Sequence, residues 1–561
     1  MKQIVECIPN FSEGRDMSVI DKITAEIKKV SGVTLLDVDP GYDTNRTVVT
    51  FVGEPEPVKE AAFMAVKKSH ELIDMRKQSG SHPRFGACDV CPLVPVSNIS
   101  MDECVKHARE LGKKLGEELD FPVYFYEFAA TSEKRRNLAV VRKGEYEALE
   151  SRVTTEEWKP DAGPAVFNAT TGATAVGARK FLVAYNVNLN TKNHKKANYI
   201  AFRIREKGYL KRDENFKVVK NENGKKVMLP GLFEGVKAIG WYVDDYKRAQ
   251  ISINITDIDK SPVHEVFEAC REIASKRGLR VTGSEIVGVV PEKAIVDAGL
   301  YYLKKQKQCR GVSKKELVET AVQSMGLDDV APFNPEKKII ENTIAKKGLA
   351  DLTISDFNDL LASDAPAPGG GSVAALCGSL AAALGAMVPN LTYNKKGYKK
   401  HNESMDSAAR KMQLEKETLL SCIDEDTEAF NKMMDAGRKK KKAEKSGDEQ
   451  ALKKASEAVR AADEYAVNVP LKVLRASYGL IETLEDVCEK GNMNAISDVG
   501  VAVLLVRTAV RGAALNVQIN LAGFDKEDSF RKDVTEEIDK YLAKVDEETD
   551  AVLKTVTEKI G

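Results

Sequence analysis

DDVAPFNPEKKIIENTIAKK, residues 328–347, separates two halves of this 561-residue chain that follow different residue periodicities. Before it, short apolar runs alternate with helical patterns. Strand signals stop after Gly326, and from Ile354 onward every apolar pattern has the period of a helix. The stretch carries two prolines and many charges, the composition of a linker.

Upstream, residues 5–8 form an apolar run, and Ile20, Ile23, Ile27 and Val30 recur at helical spacing. Residues 33–38 read as a buried strand and 47–52 as another. A helix over 55–73 follows, then a polar loop, a strand at 90–96, a helix through Val105, Ala108, Leu111 and Leu115, and a strand at 123–126. The same grammar returns as a strand at 181–187, a helix at 197–204, strands at 236–243 and 250–255, a helix at 263–274, a strand at 285–290 and a helix at 293–300. Two tandem ferredoxin-like α/β modules with mixed sheets, 1–178 and 179–327, are the simplest account. Residues 212–229 (RDENFKVVKNENGKKVML) are polar and turn-rich, and predict an exposed hairpin or mobile loop.

Downstream, residues 348–561 predict an all-helical bundle. Phe357, Leu360 and Leu361 begin one helix. Others cover 402–436, 448–476 and 497–521, and Val534, Ile538, Tyr541, Val545, Val552 and Val556 mark an amphipathic last one. Residues 372–388 are nearly uncharged but mostly Ala, Gly and Ser, short of the ~20 strongly apolar residues of a membrane span. They read as a tightly packed buried helix whose Ala374, Gly378, Ala382 and Ala386 admit a close neighbour.

The 85 basic and 85 acidic residues cancel, so no global field steers the chain onto nucleic acid or a membrane. Nine scattered cysteines argue for a reducing compartment, and MKQIVECIPN has no signal-peptide core; a cytoplasmic protein is expected.

Of six histidines, His82 alone lies in a Gly- and Pro-rich loop, Ser79 to Gly86, closed by an apolar strand. It is either a turn residue capping a backbone group or a proton carrier near neutrality. Cys88 and Cys91 form a lone CxxC with no further ligands to complete a zinc site, so no metal is expected. The run Gly163-Pro164-Ala165-Val166-Phe167-Asn168-Ala169-Thr170-Thr171-Gly172 offers backbone N–H groups and close approach, or else links modules. Gly369, Gly370, Gly371 and Ser372 lead into the small-residue helix, as an anion or carbonyl cradle or as a linker ending at a Ser372 N-cap.

On the helix through Leu419, Ile423, Asp426, Phe430 and Met433, spacings of 4, 3, 4 and 3 put Asp426 on the core-facing stripe. A carboxylate there is either raised in pKa for acid–base work or held in a salt bridge to Arg507 or Arg511. The segment Gly491 to Asp498 contains Asn492 and predicts an N-cap at Ser497 or Asp498. Asn516 and Asn520 stand one turn apart in apolar company, where unpaired amides are costly. Lysines cluster at Lys395, Lys396, Lys399 and Lys400 and across residues 438–442, as a solvated face or a strip for a polyanionic tail.

Residues 5–14 (VECIPNFSEG), Asp43-Thr-Asn-Arg-Thr47, the Ser81 to Gly86 loop and GATAVGAR at 172–179 resemble glutamate formimidoyltransferase. PGGGSVAA at 368–375 and GNMNAISD at 491–498 resemble formimidoyltetrahydrofolate cyclodeaminase. Together, in this order and over nearly the whole chain, they resemble the bifunctional formiminotransferase-cyclodeaminase family.

That resemblance implies transfer of the formimidoyl group from N-formimidoyl-L-glutamate to N5 of tetrahydrofolate, then closure to 5,10-methenyltetrahydrofolate with loss of ammonia, in histidine breakdown. It implies His82 as the transferase acid–base group, residues 163–172 as the folate-binding segment and Asp426 as the cyclodeaminase carboxylate. Arg46 or Arg84 is expected to hold a substrate carboxylate, Gly369, Gly370, Gly371, Ser372, Asn492 and Asp498 to bind substrate in the helical half, and tetrahydrofolate, as co-substrate, to be polyglutamylated. A homo-oligomer is implied. The rivals are a methenyltetrahydrofolate cyclohydrolase in the helical half, and a folate-binding scaffold without turnover.

Overall fold

The structure, a computed structural model, describes every residue except Met1, Lys2, Asp43, Ser81, His82, Asp245, Lys346 and Gly447. It forms two compact units: Met1–Ala298 with Ala321–Ala345, and Gly299–Thr320 with Lys346–Gly561.

The first unit opens with strand β1 (Ile4–Cys7), the short β2 (Asn10–Phe11), helix α1 (Met17–Lys29), β3 (Val33–Gly41), β4 (Arg46–Gly53), α2 (Pro55–Leu72), β5 (Cys88–Ser97), α3 (Met101–Glu118), β6 (Val123–Glu127) and β7 (Thr174–Ala178). The strands make one seven-stranded sheet. β1 pairs antiparallel with both β4 and β5, as β2 does, and β3 lies outside β4. β7 extends the sheet by parallel pairing with β5 and β6. Ile20, Ile23 and Ile27 of α1, Val58, Ala62 and Val66 of α2, and Ala108, Leu111 and Leu115 of α3 are buried together on the sheet. Local signals start these helices: Asp16 caps α1 through Ser18 N–H, and Ser100 and Glu103 close a reciprocal capping box on α3.

Two readings of this module are corrected. Residues 33–38 belong to a half-exposed edge strand, because β3 pairs only with β4 and alternates Val33, Leu35 and Val38 with Thr34, Asp37 and Asp39. β7, which the sequence reading does not mark, is a fully buried strand just after the 163–172 run. Its residues are small because a Cβ on Gly177 would lie 2.6 Å from the Tyr126 ring.

The second module runs β8 (Val183–Leu189), α4 (His194–Ile204), hairpin strands β9 (Tyr209–Leu210) and β10 (Met228–Leu229), β11 (Val236–Val243), β12 (Arg248–Ile255), α5 (Val263–Ser275) and β13 (Val281–Val287). Its sheet order is β11-β12-β8-β13, antiparallel throughout. This is the split β-α-β arrangement that the element order predicts. Residues 212–229 continue the β9–β10 hairpin through Arg212↔Val218 and Lys220↔Lys226 bridges. Residues 328–347, read as a linker, carry two short helices, and Ile339 and Ile340 are buried, with Ile340 N–H donating to Val290 O at 3.1 Å.

The second unit is helical: α6 (Gly370–Thr392), α7 (Asn402–Ser446), α8 (Glu449–Tyr478), α9 (Ile496–Leu521) and α10 (Ser529–Ile560) are its long elements. Residues 299–320 pack here: the missing side chain of Gly311 lets it sit on Ala409, and Arg310 bonds Asp406. α6 is the buried small-residue helix expected from residues 372–388, with Gly378 against Leu419 and Ser477 and Gly385 against Met412. α6 and the 493–521 stretch are each long and apolar enough to cross a membrane by composition, yet 61% and 50% of their most apolar windows lie inside the bundle.

Candidate functional site

In the first unit the motif segments converge on the loop that precedes β5. His82, the predicted proton carrier, and Ser81 lie outside the described residues; their neighbours are held from three directions. Asn45 Nδ2 donates to Ser79 O (3.1 Å), while its Oδ1 accepts from Gly14 N–H (3.0 Å). Glu13 gathers the N–H groups of Gly14, Arg15 and Asp16 on one carboxylate oxygen and Gln78 Nε2 on the other. Ser12 Oγ donates to Gly86 O at 2.7 Å. Gly80 must be glycine here: a Cβ would fall 2.1 Å from Thr44 O.

Residues 163–172 lie against the same loop. Met75 N–H donates to Thr170 O, Ala87 N–H to Thr171 O, and Ala173 N–H to Phe85 O, at 2.8–3.1 Å. Gly163 and Gly172 adopt φ of +78° and +69°, which side-chain-bearing residues rarely reach. The expected row of free N–H groups is only partly present, because Asn168 Oδ1 takes those of Thr170 and Thr171 and Asn168 O takes that of Gly172. The Thr171 hydroxyl is buried without a partner among the described residues, and Val166 is exposed.

Neither predicted arginine is idle. Arg46 pairs with Asp89, which is fully buried, and its Nε donates to Asn10 Oδ1 (3.1 Å); Arg142 meets the same Asp89 oxygen at 2.6 Å. Arg84 pairs with Glu147, and its Nε is buried without a partner among the described residues. Asp89, Arg142 and Glu13 were missed from sequence; Asp89 sits inside the CxxC, where only its burial reveals its role. The CxxC itself is structural, with Cys91 Sγ 3.7 Å from Cys7 Sγ, all three thiols being buried.

In the second unit a cleft of about 160 Å³ is lined by Pro366, Ala367, Gly369, Gly370, Gly371, Asp426, Thr427, Phe430, Met433, Asn516 and Asn520. The helix N-terminus of α6 opens onto it. Of the two readings of this stretch, the one with Ser372 as the cap fails: Gly369 is the cap, and Ser372 sits inside the first turn, fully buried, its one hydroxyl proton shared between Asp426 Oδ2 (3.1 Å) and Ile423 O (3.2 Å). Gly371 has no room for a side chain, since a Cβ would stand 2.2 Å from Asp426 Oδ1.

Asp426 has no cation among the described residues. Arg507 bonds Thr549 and Asp550 and Arg511 bonds Asp546, all on α10, which removes the salt-bridge reading. Its neighbours point away, as their spacing predicts: Asp424 accepts from Leu349 N–H (2.6 Å) and Glu425 pairs with Lys472 (2.9 Å). Burial therefore raises the Asp426 carboxyl above the ordinary range, and the Ser372 bonds offset this only in part. Such a group holds its proton to higher pH than an exposed carboxylate and is suited to proton transfer.

Two predicted residues lie elsewhere. Asp498 is inside the first turn of α9, whose N-cap is Ala495, about 27 Å along the helix from Asn516 by the rise of 1.5 Å per residue. Asn492 is buried as a structural cap, accepting from Lys395 Nζ (2.7 Å) and Asn494 N–H (3.2 Å).

Residues 4–179 match the N-terminal subdomain of the formiminotransferase domain, 184–345 the formiminotransferase domain, and 353–540 the formiminotransferase-cyclodeaminase family. A formimidoyltransferase-cyclodeaminase of Dictyostelium discoideum is 40% identical over 570 residues, covering 100% of both chains. A glutamate formimidoyltransferase of Streptococcus pyogenes is 42% identical over 54% of this chain and 94% of its own. A methenyltetrahydrofolate cyclohydrolase of Methylorubrum extorquens is 38% identical over 37% of this chain and 98% of its own.

Proposed function

The chain belongs to the formimidoyltransferase-cyclodeaminase family, and on that premise we propose how its two units divide the work. It is a bifunctional folate enzyme. It moves the formimidoyl group from N-formimidoyl-L-glutamate to N5 of tetrahydrofolate, then cyclises 5-formimidoyltetrahydrofolate to 5,10-methenyltetrahydrofolate and ammonia.

In the transfer, N5 attacks the amidine carbon and loses its proton, and the bond from that carbon to the glutamate nitrogen breaks as the nitrogen gains one. We assign both proton movements to His82, and folate to the 163–172 segment, which bonds the described residues of the same loop, where Asn45 anchors Ser79. Arg84 is the better arginine for the glutamate carboxylate, because Arg46 is committed to buried Asp89.

In the cyclisation, N10 attacks the formimidoyl carbon, the imino nitrogen gains the N10 proton and a second proton drawn from solvent, and the carbon–nitrogen bond cleaves to give ammonia and the methenyl cation. Asp426 is proposed as the relay. The observation that carries this is a half-buried carboxylate in a cleft with a serine and a helix N-terminus but, among the described residues, no cation. His82→Ala is expected to stop glutamate release and spare ammonia release from supplied intermediate, and Asp426→Asn to do the reverse. If either change abolishes both activities in folded protein, the division is wrong.

The likeness to a cyclohydrolase keeps a second reading, in which the bundle hydrolyses methenyltetrahydrofolate; a chain that does so while releasing no ammonia would establish it. Three finer proposals complete the picture. Polyglutamate tails would lie along Lys396, Lys399, Lys400 and the 438–442 run, Lys395 being bonded to Asn492. Copies would associate through the exposed apolar stripe Val501, Leu504, Leu515 and Ile519 on α9, which calls for light-scattering mass. A cytoplasmic location accords with nine unbonded cysteines.

A further inference from the structure

We infer that Asn516 and Asn520 form an acceptor subsite that recognises the nitrogen of the formimidoyl group, so that the bundle selects an amidine over a formyl or carbonyl ligand. This rests on the cyclodeaminase reading of the cleft. Both residues line it, one turn apart on α9.

Each amide is oriented by its other edge. Asn516 Nδ2 donates to Gly512 O at 2.8 Å, and Asn520 Nδ2 donates to Ala466 O at 2.7 Å. A flipped amide would set oxygen against a carbonyl oxygen, so the donor edge is bound to the backbone. Each Oδ1 is then left facing the cleft, and neither has a donor among the described residues. Gly370 frames them: a Cβ there would lie 3.4 Å from Asn516 Nδ2 and 3.6 Å from Oδ1.

The chemistry fits one ligand and opposes its nearest analogue. A formimidoyl carbon bears a nitrogen with N–H donors, which become more numerous as ammonia departs. A formyl carbon bears an acceptor oxygen at that place, and two amide oxygens would face it unpaired. A site built to bond an N–H rejects the analogue lacking it, because the half-buried acceptors, cut off from water by the bound ligand, go unsatisfied. Being neutral, the two amides hold the nitrogen throughout the proton relay without adding a charge beside Asp426.

The test is calorimetric titration of the full chain, in an Asp426→Asn background that keeps the ligand intact, with 5-formimidoyl- and 5-formyl-tetrahydrofolate. One class of sites is expected to prefer the formimidoyl ligand at least about tenfold. Asn516→Leu and Asn520→Leu, both favourable to helix, should remove that preference while binding of the formyl ligand holds or tightens. No such preference before mutation, or the same preference in both leucine variants, overturns the subsite. In the chain with Asp426 intact, absence of ammonia release would instead strike the cyclodeaminase reading and leave a measured preference standing.

Discussion

Gly371→Ala adds one methyl group where the structure has least room for it. The new Cβ would meet Asp426 at 2.2 Å from Oδ1, 2.6 Å from Cγ and 2.7 Å from Oδ2. Separations under 3 Å cannot persist, and Gly371 is fixed in the first turn of α6, so the carboxylate must swing away and surrender its Ser372 bonds. Losing a positioned acid–base group costs roughly 10²- to 10⁴-fold in rate. Stability should move little, because alanine is better than glycine in a helix by up to about 1 kcal/mol, which offsets much of the lost hydrogen bonding. Gly370→Ala provides the graded comparison: its Cβ meets nothing nearer than 3.4 Å, so the cleft is pressed without displacing the carboxylate, and a loss of roughly tenfold or less is expected. Gly437→Ala, open on every side, should leave both activities intact. The assay is ammonia and methenyltetrahydrofolate formation from supplied 5-formimidoyltetrahydrofolate, with glutamate release followed in parallel. Full cyclodeaminase turnover in folded Gly371→Ala would refute the placement of Asp426 as the working carboxylate.

The raised Asp426 carboxyl also sets a pH dependence: as the proton donor to ammonia it is lost as pH climbs through its folded-state value, so single-turnover cyclisation should fall on the alkaline side, and Asp426→Asn should erase that limb. Glu6, fully buried on β1, has its carboxyl pushed up to about 7 by burial, with Arg179 offsetting part of it. A raised carboxyl leaves the folded state binding more protons than the unfolded chain between about 4.5 and 7, so stability of the first unit drops across that window as pH rises, by about 3 kcal/mol at most. Glu6→Gln should flatten the denaturant midpoint over that range and exceed the parent at pH 8; a parallel pH profile in both proteins would contradict it. Arg46→Ala leaves buried Asp89 with Arg142 alone and should destabilise the unit by about 3 kcal/mol, measurable by urea unfolding followed at the tryptophans; a change under about 1 kcal/mol would show that Arg142 compensates.

The helices and most strands were legible because their period is local. Asp426 was legible for the same reason: spacings of 3 and 4 put it beneath Ile423, which is buried, and beside Phe430. What failed depended on partners far along the chain. Whether Arg507 and Arg511 reach Asp426 is decided by α10, which offers Thr549, Asp546 and Asp550 some 40 residues later. β7 was hidden because its small residues answer to the Tyr126 ring, not to strand propensity. Ser372 looked like a cap because glycine and serine both start helices; the choice of Gly369 follows from the need for a side-chain-free Gly371 against Asp426.

One helix shows why burial alone does not mark a catalytic carboxylate. Asp406 and Asp426 both stand on α7, and burial acts on each in the same direction, toward the neutral acid. At Asp406 that push is overcome: Arg310 gives its backbone N–H and its guanidinium at 2.6–3.3 Å, and Arg410 adds a bond at 3.1 Å, so the carboxyl is held below the ordinary range. Such a group is a fastener, joining residues 299–320 to the bundle. At Asp426 no cation among the described residues answers, only a serine and a helix N-terminus, and the push prevails. Supplying Asp426 with a cation should therefore convert one kind of carboxylate into the other. Phe430→Lys, one turn along on the cleft wall, sets an ammonium within reach at a position already 36% exposed. It should lower the Asp426 carboxyl and shift the alkaline limb of cyclisation to lower pH, while Phe430→Met, equally small in bulk but uncharged, should leave the limb in place. Equal shifts in both variants would mean that lost apolar cover, and not charge, governs the group.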